Sequence, residues 1–172
     1  MIYDNYNSNE GMLTTVWGPP MWHTLHIISF NYPVNPTKQQ KREYYNFYKS
    51  IQSILPCGKC RENLKQNLKI NKFNLSVFKN RDTLSRWVYD LHETINKMLG
   101  KDSGLSYESV RETFEHFRSK CSKKKEKKKT EKGCVNALYG KKSKCVLKIV
   151  PQTRKCKTFQ MDKQCKYTRK KK

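Results

Sequence analysis

Two cysteines three positions apart, Cys57 and Cys60, are the residues of this chain best suited to covalent chemistry. With two residues between them, their sulfurs can meet at one helix end and cycle between dithiol and disulfide. The amides and macrodipole at a helix N-terminus favour the thiolate, which is the reactive species. The same spacing also serves as half of a zinc site, or occurs incidentally. A structural zinc needs two further close ligands, such as a second Cys-x-x-Cys or a His-x-x-x-His. Neither is present in the sequence, so no metal is expected. The other cysteines, Cys121, Cys134, Cys145, Cys156 and Cys165, form no Cys-x-x-Cys pair, and an odd total of seven leaves at least one outside any intramolecular pairing.

The elements that must position this pair are helical by periodicity. Pro56 precedes it, and Cys57 to Leu64 predicts the first turns of a helix with Leu64 and Leu68 inward. Pro19 and Pro20 predict a helix start, followed at helical spacing by Met21, Trp22, Leu25, His26, Ile28 and Ser29 up to Tyr32-Pro33. Thr37 is the expected N-cap of a second helix, whose stripe of Tyr44, Phe47, Tyr48, Ile51, Ile54 and Leu55 is rich in aromatics. Leu84, Trp87, Val88, Leu91, Ile95, Met98 and Leu99 form the strongest pattern, ended by Gly100, with His92 and Asn96 at i and i+4. Tyr107, Val110, Phe114 and Phe117 predict a last helix. With no strand alternation competing before residue 119, the expected class is all-α, an antiparallel bundle.

The formal net charge of +23 belongs mostly to one end of the chain. Residues 119–172 hold 21 of the 37 Lys and Arg against Glu126, Glu131 and Asp162, a net of +18, while the first 118 residues carry only +5. A boundary is therefore expected near 119–121, giving an N-terminal arm over 1–13, a helical domain over 14–120 and a Lys- and Cys-rich tail over 121–172. The tail's β-prone runs, Ala137-Leu138-Tyr139 and Val146 to Val150, suggest at most a hairpin in an otherwise irregular segment. No apolar run approaches the roughly 20 residues of a membrane span, and the polar, acidic start is unlike a signal peptide, so a chain without a membrane span or cleaved leader is expected.

Three blocks together are more specific than the cysteines alone. Trp17-Gly18-Pro19-Pro20-Met21-Trp22-His23-Thr24-Leu25-His26, then Pro56-Cys57-Gly58-Lys59-Cys60, then Trp87 and His92 through Asn96, Leu99, Gly100 and Lys101, resemble the Erv/ALR family of FAD-linked sulfhydryl oxidases in order and spacing. The resemblance implies a four-helix bundle plus a short fifth helix holding FAD, usually as a homodimer, with the flavin beside the cysteine pair. It implies that Cys57 exchanges with an incoming dithiol and that Cys60 lies against the flavin. It places Trp22 and His26 along the adenine, with Gly18 nearby, and puts His92, Asn96, Leu99 and Lys101 in the block that contacts the nucleotide and flavin. The partners it implies are thiol-containing protein substrates and molecular oxygen, with hydrogen peroxide as product.

Two positions depart from the family pattern. Glu93 stands where many members have Asn, and Tyr89 and Ser106 occupy the region where a stapling cysteine pair is often found. The Trp-Gly-Pro-Pro-Met-Trp variant and the tail resemble versions from large DNA viruses, which implies work in the cytoplasm, at a virus assembly site or in the virion. Family members commonly carry a second cysteine pair that shuttles electrons to the core disulfide; since no cysteine precedes Cys57, the expected relay lies in the tail. A zinc or disulfide knot, or solvated free thiols, are the other readings of those cysteines. The +18 arm is a candidate for nucleic-acid or other polyanion contact through phosphate neutralisation. The rival to an enzyme is thus a basic nucleic-acid- or virion-associated binding module with the bundle as scaffold.

Overall fold

The computed structural model describes residues 7–8, 10–120 and 133–166. Cys121, the lysine run that follows it, residues 1–6 and 9 of the arm, and residues 167–172 lie outside the described residues. Two compact units divide at Gly104/Leu105, inside the 14–120 stretch that composition delimits. Five helices account for nearly all regular structure among the described residues: α1 Thr14–Phe30, α2 Lys38–Ile54, α3 Gly58–Ile70, α4 Arg81–Met98 and α5 Tyr107–Glu115.

The first unit is a bundle of α1 to α4. α1 packs on α4, α2 on α3, and α3 on α4, with the 3-10 turn Leu75–Phe78 against α2 and α4. The core they enclose holds Leu25, Tyr32, Tyr48, Ile51, Leu64, Leu68, Phe78, Leu84, Val88 and Leu91, which are largely the residues of the sequence periodicities. Tyr48, Tyr32 and Trp87 each place a polar atom on a backbone carbonyl. The Tyr48 hydroxyl donates to the Leu25 carbonyl at 2.9 Å and so ties α2 to α1; the Tyr32 hydroxyl donates to the Phe78 carbonyl at 2.9 Å. The Trp87 indole is buried and donates to the Asn71 carbonyl at 2.8 Å.

Local chemistry explains most element ends. Thr37 and Gln40 form a reciprocal capping box on α2, as Asn80 and Thr83 do on α4. α1 departs from expectation: it begins a turn and a half earlier, at Thr14, and carries Pro19 and Pro20 inside it. The prolines lack amides, so the carbonyls of Thr15 and Val16 lose their usual helical donors, but an extra turn still forms because Val16 and Trp17 donate to the Leu13 carbonyl. α4 ends in a Schellman motif. Gly100, at φ +66°, donates to Lys97, and Lys101 donates to the Asn96 carbonyl at 2.8 Å.

In the second unit, α5 is followed by two short strands, β1, Ser119–Lys120, pairing antiparallel with β2, Asn136–Ala137. The Val146–Val150 run forms no strand, and Val146, Leu147 and Ile149 stay exposed.

Candidate functional site

Cys57 has extended backbone and caps α3, and its Sγ accepts the Cys60 amide at 3.2 Å. The two cysteines are joined as a disulfide with Cα atoms 5.2 Å apart. Their surroundings differ: Cys60 packs against the hydrophobic core, whereas Cys57 sits at the helix cap. The approach to the pair is held by a shared acceptor. The Leu55 carbonyl receives the Cys57 amide at 2.8 Å and Arg61 Nη1 at 2.6 Å, while the Arg61 amide returns to the Cys57 carbonyl at 3.1 Å. A cation is thereby fixed one turn from Cys57, and the helix N-terminus adds its own positive end. Both favour a thiolate over a thiol.

The second group lies where α1 meets α4. Trp22 stacks on His92 with ring centroids 3.9 Å apart and planes 8° from parallel. His26, buried one turn along α1, places Nε2 3.1 Å from Nδ1 of His92, one ring donating and the other accepting. Burial pushes His26 down to about 3, with the neighbouring His92 and His23 adding to the effect. Burial likewise pushes His92 down to about 4; Glu93 opposes the shift and Lys101 assists it. Both imidazoles are therefore neutral at physiological pH and can offer one donor and one acceptor each.

The remaining site candidates cluster at the end of α4. Asn96 donates its amide to Glu93 at 2.9 Å, and the turn at Gly100 brings Lys101 back over Asn96 while leaving Leu99 and Lys101 exposed. Gly18 is half-buried on α1, and a methyl built on it meets nothing within 4 Å. Trp22, His26 and His92 are thus in direct contact, while Asn96 and Lys101 meet through the backbone. Sequence reasoning missed Arg61, whose only signal is its place four residues after Cys57. It also left Trp17 without a task, although the Trp17 indole donates to the Met12 carbonyl at 3.0 Å.

FAD would need flat surfaces for its rings, neutral donors and acceptors for its base, and a cation for its pyrophosphate. Trp22, the two neutral imidazoles, Asn96 and Lys101 supply that set, and Gly18 leaves space beside it. The residues present therefore fit the group. Among the described residues no three His, Cys, Asp or Glu side chains are grouped to hold a metal ion, and no helix is long and apolar enough to cross a membrane. In the tail Cys134 is disulfide-bonded, whereas Cys145, Cys156 and Cys165 are free thiols.

A helical bundle with a disulfide at one helix N-terminus and a cluster of Trp22, His26 and His92 rings where α1 meets α4 defines a thiol–disulfide redox protein. Residues 19–115 match the Erv1 / Alr family model. Over 101 residues the chain is 39% identical to a protein of Acanthamoeba polyphaga mimivirus named "Probable FAD-linked sulfhydryl oxidase", covering 58% of this chain and 68% of that one. It is 32% identical over 84 residues to the mitochondrial FAD-linked sulfhydryl oxidase ERV1 of Saccharomyces cerevisiae, covering 49% of this chain and 43% of the yeast one. The crystal structure of the FAD binding domain of Erv1 from Saccharomyces cerevisiae matches with a TM-score of 0.54 at 27% identity, over 60% of this chain and 94% of that one. The chain belongs to the Erv1/Alr family, and its relatives include versions from large DNA viruses.

Proposed function

We propose that this chain is an FAD-dependent thiol oxidase that makes disulfides in partner proteins. The observation that carries the proposal is the Cys57–Cys60 disulfide at the N-terminus of α3, with Cys57 at the cap and Cys60 against the core, in a chain of this family.

The exchange follows from that asymmetry. A substrate thiolate attacks Cys57 Sγ, the Cys57–Cys60 bond breaks, and Cys60 leaves as a thiolate while a mixed disulfide forms. A second substrate thiolate then attacks the substrate sulfur of that mixed disulfide. The substrate disulfide forms and Cys57 leaves as a thiolate, stabilised by the Cys60 amide, the helix N-terminus and Arg61. The pair now holds two electrons, and Cys60 is the inner sulfur from which they depart. Bound FAD supplies the two-electron acceptor and the route to dioxygen. Trp22, His26, His92, Asn96, Leu99 and Lys101 are the residues that would hold it, with Gly18 leaving room for close approach. The net reaction converts a dithiol and dioxygen to a disulfide and hydrogen peroxide.

The family resemblance also supports a homodimer, and the viral relatives support work in the cytoplasm, at an assembly site or in a virion, where host thiols are kept reduced and a private oxidation system is needed. Oxygen consumption on adding dithiothreitol to the flavin-loaded protein tests the activity. One dioxygen consumed and one peroxide formed per dithiol oxidised is expected; flavin-loaded protein that consumes no oxygen contradicts it.

A further inference from the structure

Residues 10–13 run as a short strap over the chain segment that enters the redox pair. The Met12 amide donates to the Pro56 carbonyl at 2.8 Å, and the Trp17 indole holds the Met12 carbonyl from the other side. The approach is close enough to require a glycine. A Cβ on Gly11 would stand 2.6 Å from the Pro56 carbonyl oxygen and 3.2 Å from Cys57 Cα. The strap therefore touches the backbone of the outer cysteine itself.

Its side chains face the opposite way from a core. Met12 is 69% exposed and Leu13 73%, and Val16 beyond them is 41% exposed. Leu13 is moreover the N-cap of α1 and makes no side-chain cap bond, at a position where Ser, Thr, Asp or Asn would stabilise the helix. Apolar surface is thus displayed beside Cys57 where neither packing nor capping calls for it.

We propose that the Gly11–Leu13 strap is the docking edge for the polypeptide substrate, with Met12 and Leu13 receiving apolar side chains that flank the incoming cysteine. The occupant is an extended or unfolded segment whose thiol is bracketed by apolar residues. Two observations favour it over an acidic segment. The exposed side chains that the strap presents are Met12 and Leu13, and the attacking thiolate must be brought to the sulfur that the strap adjoins. Docking changes none of the bonds of the exchange; it raises the share of encounters in which the substrate sulfur reaches Cys57 Sγ. The inference rests on the proposed activity.

The test uses the full, flavin-loaded chain with two substrates, dithiothreitol and reduced, unfolded ribonuclease A. Three forms are compared: wild type, the double variant Met12→Ser with Leu13→Ser, and Gly11→Ala. Because Met12 and Leu13 are exposed, the double variant leaves folding unaffected. It should keep kcat/KM for dithiothreitol and lose about tenfold in kcat/KM for the polypeptide, mainly through KM, given the apolar area withdrawn. Gly11→Ala should shift the polypeptide value in the same direction by displacing the strap. An exchange of the two apolar residues, Met12→Leu with Leu13→Met, should restore polypeptide turnover. Equal losses with both substrates, or no loss with ribonuclease, would overturn the docking edge. If the wild type fails to oxidise dithiothreitol, the activity falls and the docking edge falls with it.

Discussion

At Cys57 three weak effects act on one sulfur: an amide hydrogen bond, a helix N-terminus and a guanidinium held one turn away. Serine at Cys57 or at Cys60 removes the exchange outright, and each substitution is expected to lower dithiol turnover at least about a hundredfold while the far-ultraviolet spectrum stays helical. Arg61→Gln is subtler. It frees the Leu55 carbonyl from a charged donor, so a destabilisation of about 1.5 kcal/mol in urea unfolding is expected, with partial recovery in Arg61→Lys. An unchanged midpoint would show that the guanidinium does not hold the turn. The histidines make a pH prediction. Their folded pKa values lie below the ordinary value of 6.5, so the unfolded chain takes up protons first as pH falls. Stability from the neutral pair is therefore complete above about pH 6.5 and declines below it, by up to about 1.4 kcal/mol per pH unit for each histidine. Thermal melts from pH 7.5 to pH 4.5 should show the decline, and a flat profile would contradict burial of neutral rings.

The helices that present these residues were mostly legible as periodic apolar stripes, and the caps of α2 and the end of α4 carried their own signals in Thr37 and Gly100. The start of α1 was not. Leu13 is a poor cap, and Pro19-Pro20 imitates a first turn, so the turn before them had no sequence mark; what supports it is the strap and the Trp17 indole. Nor could spacing show that Trp22 and His92 stack, because that contact depends on α1 pairing with α4 across 70 residues of chain. Two element-level predictions follow from the geometry. Tyr48→Phe removes the hydroxyl that ties α2 to the Leu25 carbonyl, which keeps its helical amide donor, and should cost about 0.5–1.5 kcal/mol of stability. Gly100→Ala forces a Cβ into a left-handed backbone and should cost about 1 kcal/mol, while weakening FAD retention because Lys101 is carried by that turn. Loss of stability with undiminished FAD affinity would separate Lys101 from the cofactor.

For the whole molecule, charge and chemistry are divided along the chain. The redox pair and the ring cluster lie in the first unit, and most of the positive charge and three free thiols lie in the second. The helical periodicities were enough to indicate the bundle, and the cysteine motif and the other two blocks the family, because those blocks stand in the family's order and spacing. The tail offered no such periodicity, so its role could not be inferred in the same way. If tail thiols relay electrons, Cys145→Ser with Cys156→Ser should slow oxidation of a protein substrate and leave dithiothreitol turnover unchanged; equal rates for both substrates would remove these two cysteines from the path. The decisive measurement is the visible absorption of the purified chain before and after dithiothreitol under nitrogen, with Cys60→Ser beside it. A yellow wild type whose flavin band bleaches within the mixing of a dithiol, next to a yellow variant that does not bleach, is the predicted result. A folded wild type that is colourless and takes up no added FAD, or a Cys60→Ser protein that bleaches as fast as wild type, would contradict it.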